Sequence, residues 1–277
     1  MIIKILENRL TEAKKTAGKG FLRNLLKDTL QLLALEFIYN SRWSNLIFKG
    51  GSCLRICHGL NRLSEDLDFD YEGEFDVSVF FEDVKTHFMK DFYFPNLEFR
   101  RVKERLYFKF PVLRQLALAT SSESDKLYVK IELSRAEKCN YKIELQPIFK
   151  EGISFVARTY DLSTLMAGKI DALLSRTWFK GKRSEITVKG RDYYDLIWYM
   201  EKKIEPRYEC IGDKKISPRE VWRAIKERVE RLNPKDLEYD LSNLIENPGF
   251  VRSFSQNYKN LFFELLEKFM GGSSHNT

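Results

Sequence analysis

Between Phe21 and Tyr39 the residues Leu22, Leu25, Leu26, Leu30, Leu33 and Phe37 recur mostly at three- and four-residue steps. That is the spacing of a helix with one buried stripe. The more polar residues 1–17 also read as helix. The period then shortens: residues 45–48 read as a short strand, and Gly50-Gly51-Ser52 opens a helix that ends near Gly59. Leu67 to Tyr71 alternates apolar and acidic residues, as a strand does when only one face is covered. Residues 76–92 return to helix. Three extended runs follow, Leu97–Leu113 (with a bend or break expected at Pro111), Leu127–Ser134 and Tyr141–Phe149. After Thr159 helices are expected over 162–179, with Asp161 or Ser163 as N-cap, over 190–203, over 218–232, and over 251–270. Ser217 caps the third of these, with Pro218 in its first turn. No solenoid-type repeat or low-complexity linker interrupts the chain. The expected architecture is an α/β N-terminal domain, residues 1–155, with a mixed sheet flanked by helices. It would be packed on a mostly α-helical C-terminal domain, residues 156–277.

Composition narrows the class without fixing it. Hydrophobic residues make up 43% and aromatic residues 14% of the 277, which excludes a disordered chain. The formal charge of +7 favours an anionic partner but is too small for a purely electrostatic binder. The most apolar stretch, Leu30–Tyr39, is broken by Gln31 and Glu36 and is too short for a bilayer. The first ten residues carry Lys4, Glu7 and Arg9 and do not read as a signal peptide, so a cytoplasmic protein without membrane contact is expected. Cys53, Cys57, Cys139 and Cys210 are too few for a disulfide framework in so long a chain, and reduced thiols are expected. Cys53, Cys57 and His58 could be read as part of a zinc site. The i,i+4 cysteines suit a buried helix face better, because no second Cys/His pair follows.

One constellation carries chemistry. Phe48-Lys49-Gly50-Gly51-Ser52 takes a strand into a helix, and Arg62-Leu63-Ser64-Glu65-Asp66-Leu67-Asp68-Phe69-Asp70 follows. A helix N-terminus opened by glycines offers backbone N–H groups and the positive end of the helix dipole to a phosphate, and a serine hydroxyl can add a donor. Asp66 and Asp68, two apart on a strand, share one face roughly 7 Å apart. Two such carboxylates repel unless a cation lies between them, and Mg²⁺ takes carboxylate and phosphate oxygens together. A third carboxylate is expected from a neighbouring strand. Glu132 is the first choice, although Lys130 on its face also suits an ordinary salt bridge; Glu144 is the second.

With these residues in view, the sequence resembles the AbiEii/AbiGii family of the DNA polymerase β-like nucleotidyltransferase superfamily. Lys49-Gly50-Gly51-Ser52 and Ser64-Glu65-Asp66-Leu67-Asp68-Phe69 resemble its Gly-Gly-Ser/Thr and acid-x-acid signature. Residues 165–176, around Lys169, resemble its lysine-bearing helix, and Lys189-Gly190-Arg191-Asp192-Tyr193-Tyr194-Asp195-Leu196 its Arg-Asp-x-x-Asp helix. The resemblance covers about residues 30–200. It implies a toxin of a type IV toxin–antitoxin or abortive-infection system, with a cognate antitoxin, that moves a nucleoside monophosphate from an NTP to an acceptor hydroxyl, in some relatives at tRNA 3′ ends. It also implies that Lys49, Gly50, Gly51 and Ser52 hold the nucleotide. Asp66 and Asp68 would bind Mg²⁺, with Glu132 completing a pair of ions. Lys169 would touch the triphosphate, and Asp192 would be a second-domain acid of the active site.

Two basic stretches suit an RNA acceptor. Residues 176–191 hold six bases and one acid, with Lys180, Lys182 and Arg183 as the expected RNA contacts. Residues 100–109 form the second, with Tyr107 and Phe108 expected to pack within the sheet rather than stack on bases. A protein or small-molecule hydroxyl as acceptor, and a non-catalytic nucleotide-binding module, are the alternatives.

Overall fold

The computed structural model describes residues 2–13, 17–92, 94, 96–175, 189–212 and 216–272. Three helices and two strands open the chain: α1 (Ile2–Glu12), α2 (Lys19–Tyr39), β1 (Ile47–Lys49), α3 (Gly50–His58) and β2 (Asp66–Tyr71). Next come α4 (Val77–Lys90), β3 (Glu98–Val102), β4 (Arg105–Pro111), β5 (Lys126–Arg135), β6 (Ile143–Lys150) and β7 (Ile153–Tyr160). Then follow α5 (Leu162–Ser175), α6 (Gly190–Glu201), a 3₁₀ turn at Tyr208–Cys210, α7 (Pro218–Glu230), α8 (Pro234–Leu241) and α9 (Pro248–Gly272). The chain forms two compact units, one of residues 1–137 and 143–159, the other of 138–142 and 160–277. β7 therefore runs across the expected boundary at 155/156.

The first unit is built on a seven-stranded sheet in the order β3-β4-β5-β2-β1-β7-β6. It is mixed: β1–β7 and β2–β5 are parallel, while β1–β2, β3–β4 and β4–β5 are antiparallel. Alternation decides which face is covered. Leu67 and Phe69 of β2, Leu106, Phe108 and Phe110 of β4, and Leu127, Val129, Ile131 and Leu133 of β5 are buried. Helices pack on that side. Phe81 and Phe88 of α4 meet Phe108, and Phe88 also meets Phe110. The intervening residues of β2, β4 and β5 lie on the opposite, open face, so period two alone puts every acid of the motif on one side of the sheet.

Three expectations are corrected here. The run Leu97–Leu113 is two antiparallel strands. The break falls at Lys103-Glu104, where Lys103 has φ 56°, while Pro111 stays paired with Lys126. An edge-like position accommodates a proline, so Pro111 was a poor guide to the break. β7 was not anticipated, although Phe155, Ala157 and Thr159 are buried in alternation with their neighbours. α8 was not anticipated either; Asn233 caps it through Lys235 N, with Pro234 at its first turn.

In the second unit α7 begins with the expected cap. Ser217 Oγ accepts from Glu220 N, and the Glu220 carboxylate accepts from Ser217 N at 3.0 Å. Cys139 and Cys210 are joined as a disulfide across 71 residues, contrary to the expectation of four reduced thiols. Their pairing arises because the short segment 138–142 belongs to this unit, which linear spacing cannot reveal. Cys53 and Cys57 remain thiols. Cys53 is buried with its Sγ 2.9 Å from Thr159 Oγ1, and burial pushes its thiol well up in pKa.

Candidate active site

Strand register assembles the first cluster. Asp68 of β2 lies opposite Lys49 of β1 on one side and Glu132 of β5 on the other, with Arg105 of β4 opposite Glu132. One row along, Asp66 lies opposite Lys130, and Lys130 opposite Tyr107. The expected third carboxylate is thus beside the first two. Its charge is already engaged: Arg105 Nε is 2.6 Å and Lys130 Nζ 3.4 Å from Glu132 Oε1. Lys130 Nζ also stands 2.7 Å from Asp66 Oδ2. An ammonium therefore bridges Asp66 and Glu132, and as they stand no three acid, His or Cys side chains among the described residues are arranged to hold a metal.

The donor chemistry nevertheless fits a hard divalent cation. The Asp68 carboxyl is raised to about 6, first by burial and then by Asp66 and Glu132, against the opposing pull of Lys49 and Lys130. Arg105, Lys130 and Lys49 pair with Glu132, Asp66 and Asp70, so Asp68 is left without an ion pair among the described residues, and the crowding of oxygens around it is what Mg²⁺ would relieve.

The glycine turn is shaped by the same aspartate. Gly50 has φ +78°, and a Cβ there would sit 2.4 Å from Asp68 Oδ2. A side chain at 50 would be strained in backbone and would displace the carboxylate. At Gly51 a Cβ would come within 2.6 Å of Arg62 Nη2, an arginine that is 2% exposed and donates to Leu63 O. The N-terminus of α3 has no side-chain cap hydrogen bond.

Two expected nucleotide contacts are occupied otherwise. The Ser52 hydroxyl donates to the Asp66 carbonyl and is buried, so it ties the turn to β2 rather than facing a ligand. Lys49 Nζ is 2.7 Å from Asp70 Oδ1 and donates to Ser134 Oγ, which in turn donates to Asp70. Asp70, one more step along the alternation, is thereby a buried brace beside the site.

In the second unit Lys169 of α5 reaches two carboxylates of α6, Asp192 Oδ1 at 3.0 Å and Asp195 Oδ2 at 2.8 Å. Asp195 side chain is fully buried and Asp192 is 8% exposed. Sequence reasoning singled out Lys169 and Asp192 but gave Asp195 no role, although it closes the Arg-Asp-x-x-Asp spacing. The spacing puts both aspartates on one helical face, and the covered face needs a cation. Arg191 is spent on Asp240 of α8, to which it donates from N at 3.0 Å and Nε at 3.2 Å. Lys180, Lys182 and Arg183 lie outside the described residues.

The glycine turn at the start of α3 thus faces the paired aspartates of β2 on the open side of a mixed sheet. The chain has the fold of JHP933 from Helicobacter pylori, with a TM-score of 0.50, 17% identity, and 91% of this chain and 95% of that one covered. A second H. pylori protein, assigned as a nucleotidyltransferase, aligns over 92% of this chain and 98% of its own at 18% identity and a TM-score of 0.47. No curated protein matches the sequence. The family described as "Nucleotidyl transferase AbiEii toxin, Type IV TA system" matches residues 37–269. The chain belongs to that family: it is a nucleotidyltransferase of the type IV toxin–antitoxin kind, with an NTP as its substrate.

Proposed function

We propose that the protein transfers a nucleoside monophosphate from an NTP to an RNA hydroxyl, in the first instance a tRNA 3′ end, as the toxin partner of a cognate antitoxin. The observation that carries this reading is the crowding of Asp66, Asp68 and Glu132 beside the uncapped N-terminus of α3. In this reading the α3 N–H groups take the triphosphate. Asp66 and Asp68 hold Mg²⁺, with Glu132 as the third carboxylate once Lys130 and Arg105 give way. The metal, when bound, supplies positive charge to the phosphates and acidifies the acceptor hydroxyl. Ser52 and Asp70 position the turn and β2; Lys169, held by Asp192 and Asp195, ties α5 to α6 within the second unit. The first unit is the catalytic domain and the second its helical companion. Among the described residues no helix is long and apolar enough to cross a membrane. With NTP and RNA as substrates the place of work is the cytoplasm.

The test is incubation with each labelled NTP, Mg²⁺ and total tRNA. Wild type should label RNA and Asp66→Ala should fall to the level of a no-enzyme control. Equal labelling by the two proteins would end the proposal. Label found on protein and never on RNA would end its acceptor.

A further inference from the structure

The open face of β3, β4 and β5 differs from the rest of the sheet. Register lays out rows that run from the edge strand toward the aspartates: Arg100, Tyr107, Lys130 and then Asp66; Val102, Arg105, Glu132 and then Asp68; and, farther along, Glu98, Lys109 and Tyr128. Tyr107 was expected to pack within the sheet with Phe108. Phe108 does, fully buried, but strand alternation turns Tyr107 to the open side, where it is only half-buried. Tyr128 is 40% exposed, and Lys109 Nζ lies 5.8 Å from its ring centroid. Arg100 is exposed and has no ion pair among the described residues. Lys126, whose Nζ is 2.7 Å from Glu98, completes a face on which cations outnumber carboxylates outside the Asp66–Asp68 pair.

We infer that this face is the platform on which a single-stranded RNA end lies to reach Asp66 and Asp68, with Tyr107 and Tyr128 stacking on bases and Arg100 and Lys109 meeting phosphates. The inference rests on the reading that the acceptor is RNA. Three features favour a single strand. The two tyrosines are a diagonal cross-strand pair, roughly 7–8 Å apart at the backbone, which spaces two flat rings on one surface. Exposed aromatics with interleaved cations take unpaired bases and backbone together, whereas duplex RNA hides its base faces. Tyr107 is two strands from Asp66, about 10 Å at ~4.8 Å per strand. A few stacked nucleotides at about 3.4 Å each span that distance. Outside the Asp66–Asp68 pair the cations Arg100, Arg105, Lys109, Lys126 and Lys130 outnumber the carboxylates Glu98 and Glu132, which suits a phosphate backbone better than an apolar peptide.

The measurement is fluorescence anisotropy of a labelled 12-nucleotide single-stranded RNA with the full-length protein. Tyr128→Ala and Tyr107→Ala should each weaken binding about tenfold, within the range for one lost base stack, while Tyr128→Phe keeps wild-type affinity. Lys109→Gln should lower the slope of log K against log salt by about 0.7, the loss of one phosphate contact. Calorimetric binding of NTP should be unchanged in all four variants. If wild type labels RNA while both alanine variants bind and label as it does, the platform is wrong and the proposed function survives. Wild type that binds no RNA, or labels only protein, overturns both.

Discussion

The chain holds two carboxylate clusters that are balanced in opposite ways. In the first unit Asp66, Asp68 and Glu132 lie on the open face of a sheet; Arg105 and Lys130 pair with Glu132 and Asp66, but Asp68 has no ion pair among the described residues and remains raised to about 6. In the second unit one lysine lies within 3.0 Å of two carboxylates, in a site where the aspartates are buried. The contrast separates two uses of charge. A buried ammonium shared between two carboxylates of a neighbouring helix holds helices in place and stands or falls with folding. A crowded, half-buried set that is under-met stores repulsion that a ligand can discharge, so removing one of its members should cost function and spare the fold.

Changes to the lysines break that comparison most sharply. Lys169→Met leaves two buried carboxylates without their shared cation and should cost roughly 3–5 kcal/mol in urea unfolding. Lys130→Met in the first cluster should change stability by less than ~1 kcal/mol, because its partners are about a third exposed. Equal losses from the two would erase the distinction. Reduction of Cys139–Cys210 is expected to have an intermediate effect, about 2–4 kcal/mol, read as the difference between melts with and without a thiol reductant.

The effect at Asp68 has the more telling sign. Asp68 has a folded pKa raised above the ordinary aspartate value of 3.8, so its ionised form burdens the native state. That burden is full above about 6 and disappears as pH falls from about 6 toward the unfolded value. Asp68→Asn should therefore raise the melting temperature of the metal-free protein at pH 8 by a few degrees, about 2–4 °C per kcal/mol, and the advantage should vanish near pH 4. A destabilised Asp68→Asn at pH 8 would mean that the carboxylate is satisfied after all.

Much of this was legible in the chain. The alternation from Asp66 to Tyr71 announced both the strand and its acidic face, and the glycines announced the turn, because each signal is local and has a short period. What escaped is set by long-range pairing. Nothing near Glu132 says that Arg105, across a hairpin, reaches its carboxylate, and the break at Lys103-Glu104 depends on a positive φ that no breaker residue marks. Ser52 has the residue type expected of a phosphate donor, yet its hydroxyl is taken by the carbonyl of Asp66, which only the folded approach of α3 to β2 brings near. Tyr107 and Phe108 are adjacent aromatics with opposite fates, and a one-residue difference in strand phase decides between core and open face.

The most direct test of the central claim, that the under-met cluster is built to take a metal with its nucleotide, is calorimetric titration of NTP into wild type and Asp66→Asn, each in Mg²⁺ and in EDTA. The account predicts binding to wild type in Mg²⁺ that weakens at least about tenfold both in EDTA and in Asp66→Asn, in line with the cost of losing part of a metal site. Equal NTP affinity under all four conditions would contradict it.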